Sequence, residues 1–182
     1  AKLFKSGSVT RKLKVVHWSY GARTALAEAE VEYADKTSPA ITVAFPVQEA
    51  EARRLELPTP LFVPIWTTTP WTLPSNLAVA MHPDLEYAVV RAGDRHYVVA
   101  VTLREDFAKK LGVELHTVEI RKGKEFQTLV ARHPWINRQS PVLLADYVVA
   151  DTGTGLVHTA PDHGVDDFNL AHHLGLLQLV GP

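Results

Sequence analysis

Leu85-Glu-Tyr-Ala-Val-Val-Arg91 and His96-Tyr-Val-Val-Ala-Val101, separated by Ala92-Gly-Asp-Arg95, decide the fold class. Both are short runs rich in β-branched and aromatic residues, and they read as strands. Gly93-Asp94 between them is a plausible hairpin turn, although its order is not the favoured Asp-Gly. Working outward, the same signature recurs at Lys12–Trp18, Glu30–Tyr33, Ala40–Val47, Leu61–Thr67, Val113–Ile120 and Val142–Val149. Twelve prolines scattered through the chain suit many strand ends and turns better than a helical bundle. The fold class is therefore mainly β with peripheral helices. Thr102-Leu-Arg-Glu105 matches a capping box, and Leu103, Phe107 and Leu111 follow at helical spacing until Gly112. A second helix starts around Gly164-Val-Asp-Asp167 and carries Val165, Phe168, Ala171 and Leu174 on one face up to Gly175. Ala22–Glu32 reads as a turn followed by a strand.

At 182 residues, 46% hydrophobic and 21% charged, the chain has the size and balance of one globular domain, 1–182. The polar stretch 111–135 is a candidate surface lobe. The absence of cysteine excludes disulfide scaffolds, thiolate zinc sites and thiol nucleophiles. A net charge of −1 argues against coating nucleic acid by bulk electrostatics. No apolar stretch approaches the roughly 20 residues that span a membrane, so no membrane partner is expected. The first residues lack the apolar region of a signal peptide, and there is no initiator methionine. The chain is expected to be a piece of something larger.

Two clusters could carry chemistry. In Trp66-Thr-Thr-Thr-Pro-Trp-Thr-Leu-Pro-Ser-Asn76, five hydroxyl residues, two tryptophans and an Asn follow an apolar strand. One reading is a merely rigid loop. The other is a loop that displays hydroxyls beside flat aromatic walls, as a small-molecule site requires; hydroxyls suit ribose oxygens, an ester carbonyl or a held water. The second cluster, Gly153-Thr-Gly-Leu-Val-His158-Thr-Ala-Pro-Asp-His-Gly164-Val-Asp-Asp167-Phe168, sets two His and three Asp between a glycine-flanked strand and a helix start. It admits a solvated loop with a capping carboxylate, or a metal site, although no known ligand spacing is met. A phosphate cradle at Gly153-Thr-Gly155 lacks both GxGxxG and the P-loop Lys. No GxSxG elbow surrounds any of the six serines. His172, His173 and the remaining histidines read as surface or helix-face residues.

Together the clusters are recognisable. Trp66–Asn76, continuing to Asp84, resembles the threonine-rich peptide of the editing (CP1) domain of class I aminoacyl-tRNA synthetases, and Gly153–Phe168 resembles that domain's second motif. The details look like the isoleucyl enzyme. The valyl and leucyl relatives typically carry Thr-Thr-Arg-Pro where this chain has Thr67-Thr-Thr-Pro70, and favour Pro-Ala-His-Asp over Ala160-Pro-Asp-His-Gly-Val-Asp-Asp167. Thr24–Tyr33 also looks like the stretch near the domain's entry. The resemblance implies a β-barrel-like core of the valyl/isoleucyl/leucyl editing type, inserted in a larger, monomeric, cytoplasmic synthetase. Signatures of the His-Ile-Gly-His and Lys-Met-Ser-Lys-Ser type are missing, so no ligase activity is expected of this chain. ATP and magnesium belong to the core outside it, and no cofactor or metal is expected here.

The implied activity is proofreading in protein synthesis. A pocket made for isoleucine cannot strongly reject valine, which lacks one methylene; this pair is the standard illustration of the problem, and a second, hydrolytic sieve removes the error. The implied substrates are the 3′ acceptor end of isoleucine tRNA carrying valine, and valyl-adenylate. The resemblance assigns Asp167 to the substrate ammonium, a place where the helix dipole and N–H donors are expected to keep it ionised. His158 would line the pocket as a gate. Thr67, Thr68 and Thr69 would grip ribose and ester and position water, with Thr68 and Thr69 counted as catalytic beside His158 and Asp167. Trp66 and Trp71 would supply apolar walls and Asn76 a polar contact or brace. The competing readings are a binding module without turnover and a metal-dependent hydrolase.

Overall fold

The computed structural model describes residues 2–11 and 14–176. Among these residues the central unit is a five-stranded sheet of β3 (Ile41–Pro46), β4 (Leu61–Thr67), β6 (Glu86–Ala92), β7 (Arg95–Ala100) and β8 (His116–Lys122), ordered β3-β4-β7-β6-β8. The opening hairpin reading holds: Ala92 pairs with Arg95 across Gly93-Asp94, and Gly93 takes φ +63°, which suits glycine at the first turn position. All pairings are antiparallel except β4 with β7, joined only at Leu61–His96 and Phe62–Tyr97. Pro64, with no N–H to donate, lies past the end of that ladder. Phe45, Val63, Ile65, Val89 and Val98 pack one face of this sheet, and Phe107 packs edge-on against Tyr97 on the other.

A four-stranded sheet holds β5 (Ala78–Met81), β9 (Val130–Arg132), β10 (Gln139–Leu144) and β11 (Leu156–Thr159), ordered β11-β5-β10-β9. All four residues of β5 are buried, including Met81, the chain's single methionine. The two sheets meet at a Val47–Ala131 bridge and where β11 packs beside β4. No hydrogen-bonded ladder closes a barrel among the described residues, so the expected barrel-like core is two open sheets. A small hairpin of β1 (His17–Ser19) and β2 (Thr24–Leu26) precedes them, and α1 (Lys2–Lys5), α2 (Glu49–Arg54), α3 (Arg104–Leu111) and α4 (Val165–His173) lie at the periphery.

Several boundaries differ from expectation for local reasons. Glu30–Tyr33 is not a strand: the Glu30 carboxylate accepts the Ala27 N–H at 2.7 Å and closes a 3₁₀ turn over Glu28–Glu30. Of Lys12–Trp18, Lys12 and Leu13 lie outside the described residues and only His17 and Trp18 are strand. The reading of Ala22–Glu32 is met in short form, a turn up to Arg23 followed by β2. Strand β10 ends at Leu144, five residues short of Val149, and β5, β9, α1 and α2 lie outside the expected elements. The capping box fails because Thr102 sits inside a 3₁₀ turn and spends its hydroxyl on Ala150 O. On α4 only Ala171 of the expected face is fully buried, with Val165 largely exposed. The stretch 111–135 is no separate lobe: β8 joins the large sheet, and Phe126, Leu129 and Ala131 are in the core.

Candidate functional site

The threonine-rich segment leaves the end of β4 and folds into a 3₁₀ turn, Pro70–Ser75, started by Pro70. Thr67 is buried, and its hydroxyl accepts the Thr69 N–H at 3.0 Å, a local side-chain turn that fixes the peptide. Thr68 and Thr69 are exposed. Thr72 is buried and donates to Thr69 O at 2.8 Å. Trp66 is half-buried between Gly153, where a Cβ would crowd its ring, and the Lys110 ammonium 6.0 Å over it. Trp71 is 62% exposed, so it is not packed into a wall. Asn76 is wholly buried; it donates to Ala78 O at 2.7 Å and accepts Ser140 Oγ at 2.8 Å, which makes it a brace and not a ligand contact.

The second segment enters through Gly153-Thr-Gly155. Gly155, at φ +75°, faces Ala100 so closely that no side chain fits, and its carbonyl accepts the Tyr87 hydroxyl at 2.8 Å. The glycines therefore serve close packing of the loop on the large sheet, and the phosphate-cradle reading falls. Burial pushes the Tyr87 phenol up to about 12, so it stays a donor throughout the physiological range. Strand β11 follows and carries His158, only 7% exposed.

His158 and Thr72 join the two segments, with Nε2 2.9 Å from Oγ1. A hydroxyl has one proton, and that of Thr72 goes to Thr69 O. Thr72 must then accept from His158, whose proton sits on Nε2; the buried Nδ1 keeps its lone pair and has no partner among the described residues. Desolvation first, and then the neighbouring His163 and His133, hold the His158 pKa down to about 4. The ring is neutral at pH 7.

Asp167 lies in the first turn of α4. Its Oδ2 accepts the Ala160 N–H at 2.8 Å and its Oδ1 the Tyr147 hydroxyl at 3.3 Å. Desolvation raises its pKa despite these bonds. The expected N–H donor is present at Ala160, but burial works against the ionised form that dipole and donor favour. Hydrogen bonds join Thr69 O, Thr72 and His158; from His158 the backbone itself runs on to Ala160, whose N–H is held by Asp167. His163 adds an outer tie to Ser75, 3.0 Å between Nε2 and Oγ. Among the described residues, no group of three or more His, Asp or Glu side chains is placed to hold a metal ion, and no helix is long and apolar enough to cross a membrane.

Reading the sequence missed Tyr147, expected in a strand, His133, expected on the surface or a helix face, and Arg138, which no motif singled out. His133 is only 4% exposed. Its Nε2 meets Leu73 O at 2.9 Å, while Arg138 reaches Pro74 O and Asn76 O. Bonds from side chains to distant carbonyls leave no spacing pattern in the sequence.

The family model for class I tRNA synthetases of the I, L, M and V group matches residues 1–141. The chain belongs to the class I tRNA synthetases. It is 50% identical over 181 residues to the isoleucine–tRNA ligase of Nitratidesulfovibrio vulgaris, covering 97% of this chain and 19% of that one. The isoleucine–tRNA ligase of Geobacillus thermodenitrificans is 48% identical over 176 residues, with 96% and 19% covered. The chain thus spans about a fifth of the length of the curated relatives it matches. In fold it is similar to the P. knowlesi cytosolic leucyl-tRNA synthetase editing domain, at TM-score 0.63 and 12% identity over 81% of this chain and 67% of that one. The structure described as GlLeuRS-CP1 gives TM-score 0.60 and 17% identity over 75% and 65%. Among class I tRNA synthetases, the sequence is of the isoleucine type and the fold is that of the editing domain.

Proposed function

We propose that this domain hydrolyses the ester joining valine to the 3′-terminal ribose of isoleucine tRNA, and valyl-adenylate as a second substrate, within a monomeric cytoplasmic isoleucine–tRNA ligase. Water attacks the ester carbonyl, the bond to ribose oxygen breaks, and valine leaves with the tRNA hydroxyl restored. Asp167 anchors the α-ammonium through the lone pairs that Ala160 and Tyr147 leave free. Thr68 and Thr69, exposed on a peptide fixed from below by Thr67, hold the ribose and ester and place the water. The rate comes from proximity and orientation, with no protein nucleophile. His158 is a wall of the pocket: neutral, tied to Thr72 through Nε2, and a poor base. The domain needs no cofactor of its own in this scheme; ATP and magnesium serve the ligase core.

The observation that carries this reading is the Asp167 carboxylate, pre-set by the Ala160 N–H and the Tyr147 hydroxyl, on the same segment whose His158 is hydrogen-bonded to Thr72 of the threonine-rich turn. It is tested with Asp167→Ala in a full-length ligase carrying this chain, by measuring release of valine from mischarged tRNA. The expected loss is about a hundredfold, the scale of losing a positioning contact at the reacting group. Near-normal deacylation would remove the anchor.

A further inference from the structure

The turn Pro70–Ser75, which presents Thr72 to His158, has few bonds of its own, among them Thr72 N–H to Thr69 O at 3.0 Å and Asn76 N–H to Leu73 O at 2.9 Å. Six residues is long for a 3₁₀ helix, whose bonds are poorly aligned, and Pro74 inside it has no N–H to give. Its last carbonyls are taken from outside. His133 Nε2 lies 2.9 Å from Leu73 O, and the Arg138 guanidinium donates to Pro74 O at 2.7 Å and to Asn76 O at 2.9 Å. The Ile136 N–H donates to His133 Nδ1 at 3.1 Å, so the His133 proton is on Nε2 and points at Leu73 O. Ser140 adds a fourth tie through Asn76 Oδ1. All three side chains come from residues 133–140, outside both sequence clusters.

We infer that Arg138 and His133 are positioning residues that set the discrimination between valyl and isoleucyl esters, by fixing where Thr72 meets His158. Neither touches substrate. The inference rests on the editing reading above. Without the guanidinium, two carbonyls at the end of the turn lose their donors at once. The turn then relaxes toward solvent, Thr72 leaves His158 Nε2, and the wall that excludes the larger side chain moves.

The experiment is Arg138→Ala and Arg138→Lys in the full-length ligase, with kcat and KM for hydrolysis of valyl- and isoleucyl-tRNA and a melting curve for each variant. Arg138→Ala should lower kcat for the valyl ester about tenfold with KM nearly unchanged, and raise the isoleucyl-to-valyl rate ratio about tenfold, as expected for a small misplacement. Arg138→Lys, a point charge in place of a planar fork, should recover only part of the ratio, and guanidinium ion added to Arg138→Ala should restore part of it. An unchanged ratio in Arg138→Ala overturns the inference, whatever the melting temperature does. If the unaltered ligase fails to hydrolyse valyl-tRNA, the editing reading fails separately. The clamp is then judged by the ¹⁵N shifts of the His158 ring, which Arg138→Ala must move; an unmoved His158 signal overturns it.

Discussion

The two sheets differ in the polar groups they bury. The five-stranded sheet buries Phe45, Ile65, Val89 and Val98 in one core, and its most deeply buried phenol, Tyr87, is satisfied by His82 N–H and Gly155 O. The four-stranded sheet and its loops bury Asn76, His133, Ser140 and His158, a polar set held by specific bonds. Apolar burial is non-directional and tolerates variation. A buried polar network costs stability when any member is unpartnered, yet it fixes atoms in one arrangement. One apolar core runs through both sheets, from Phe45 and Val89 to Val79, Met81, Val142 and Leu156, while this polar set lies on the small sheet and its loops and fixes the geometry there.

The largest break in this contrast should come from the large sheet. Leu61→Ala, at the end of β4 away from Thr67, should cost about 2–5 kcal/mol, the range for a buried Leu. Denaturant unfolding measures it, and the rate ratio between valyl and isoleucyl esters should not change. A changed ratio would mean that the apolar core and the polar set do not divide the labour.

Acid should act on the small sheet. The folded-state pKa of His158, about 4, lies below its ordinary 6.5. Its contribution is therefore complete above pH 6.5 and is lost as pH falls toward 4, by about 3 kcal/mol at most. The fall in unfolding midpoint between pH 7 and pH 4.5 should be smaller in His158→Gln than in the unaltered chain. Asp167 runs the other way: its raised pKa makes the charged form costly at neutral pH, a cost that fades on acidification. The smallest expected effect is that of Ser140→Ala, which leaves Asn76 Oδ1 without its donor and should cost about 1–3 kcal/mol. A loss below the error of chemical denaturation would show that the brace is redundant.

Both clusters were legible because their chemistry is local. The strand before Thr67, the Gly153–Gly155 turn and the carboxylate at the start of α4 each announce themselves within a few residues. Strands β5 and β9 were not legible: Ala78-Val-Ala-Met81 and Val130-Ala-Arg132 are short and lack alternation, and only tertiary pairing makes them strands. Arg138 was invisible for a stronger reason. A guanidinium that binds two carbonyls more than sixty residues away resembles any surface arginine until the chain is folded.

Met81 gives the molecule a reporter of its own. As the sole methionine, set on β5 between Leu144 and Leu156, it would give one methyl resonance from the strand that both halves of the site flank. Chemical cleavage after the same residue would divide the chain into a piece bearing Thr67–Asn76 and another bearing His158 and Asp167. A single isotope label and a single cut thus suffice to ask whether the two halves find each other without the peptide bond between them.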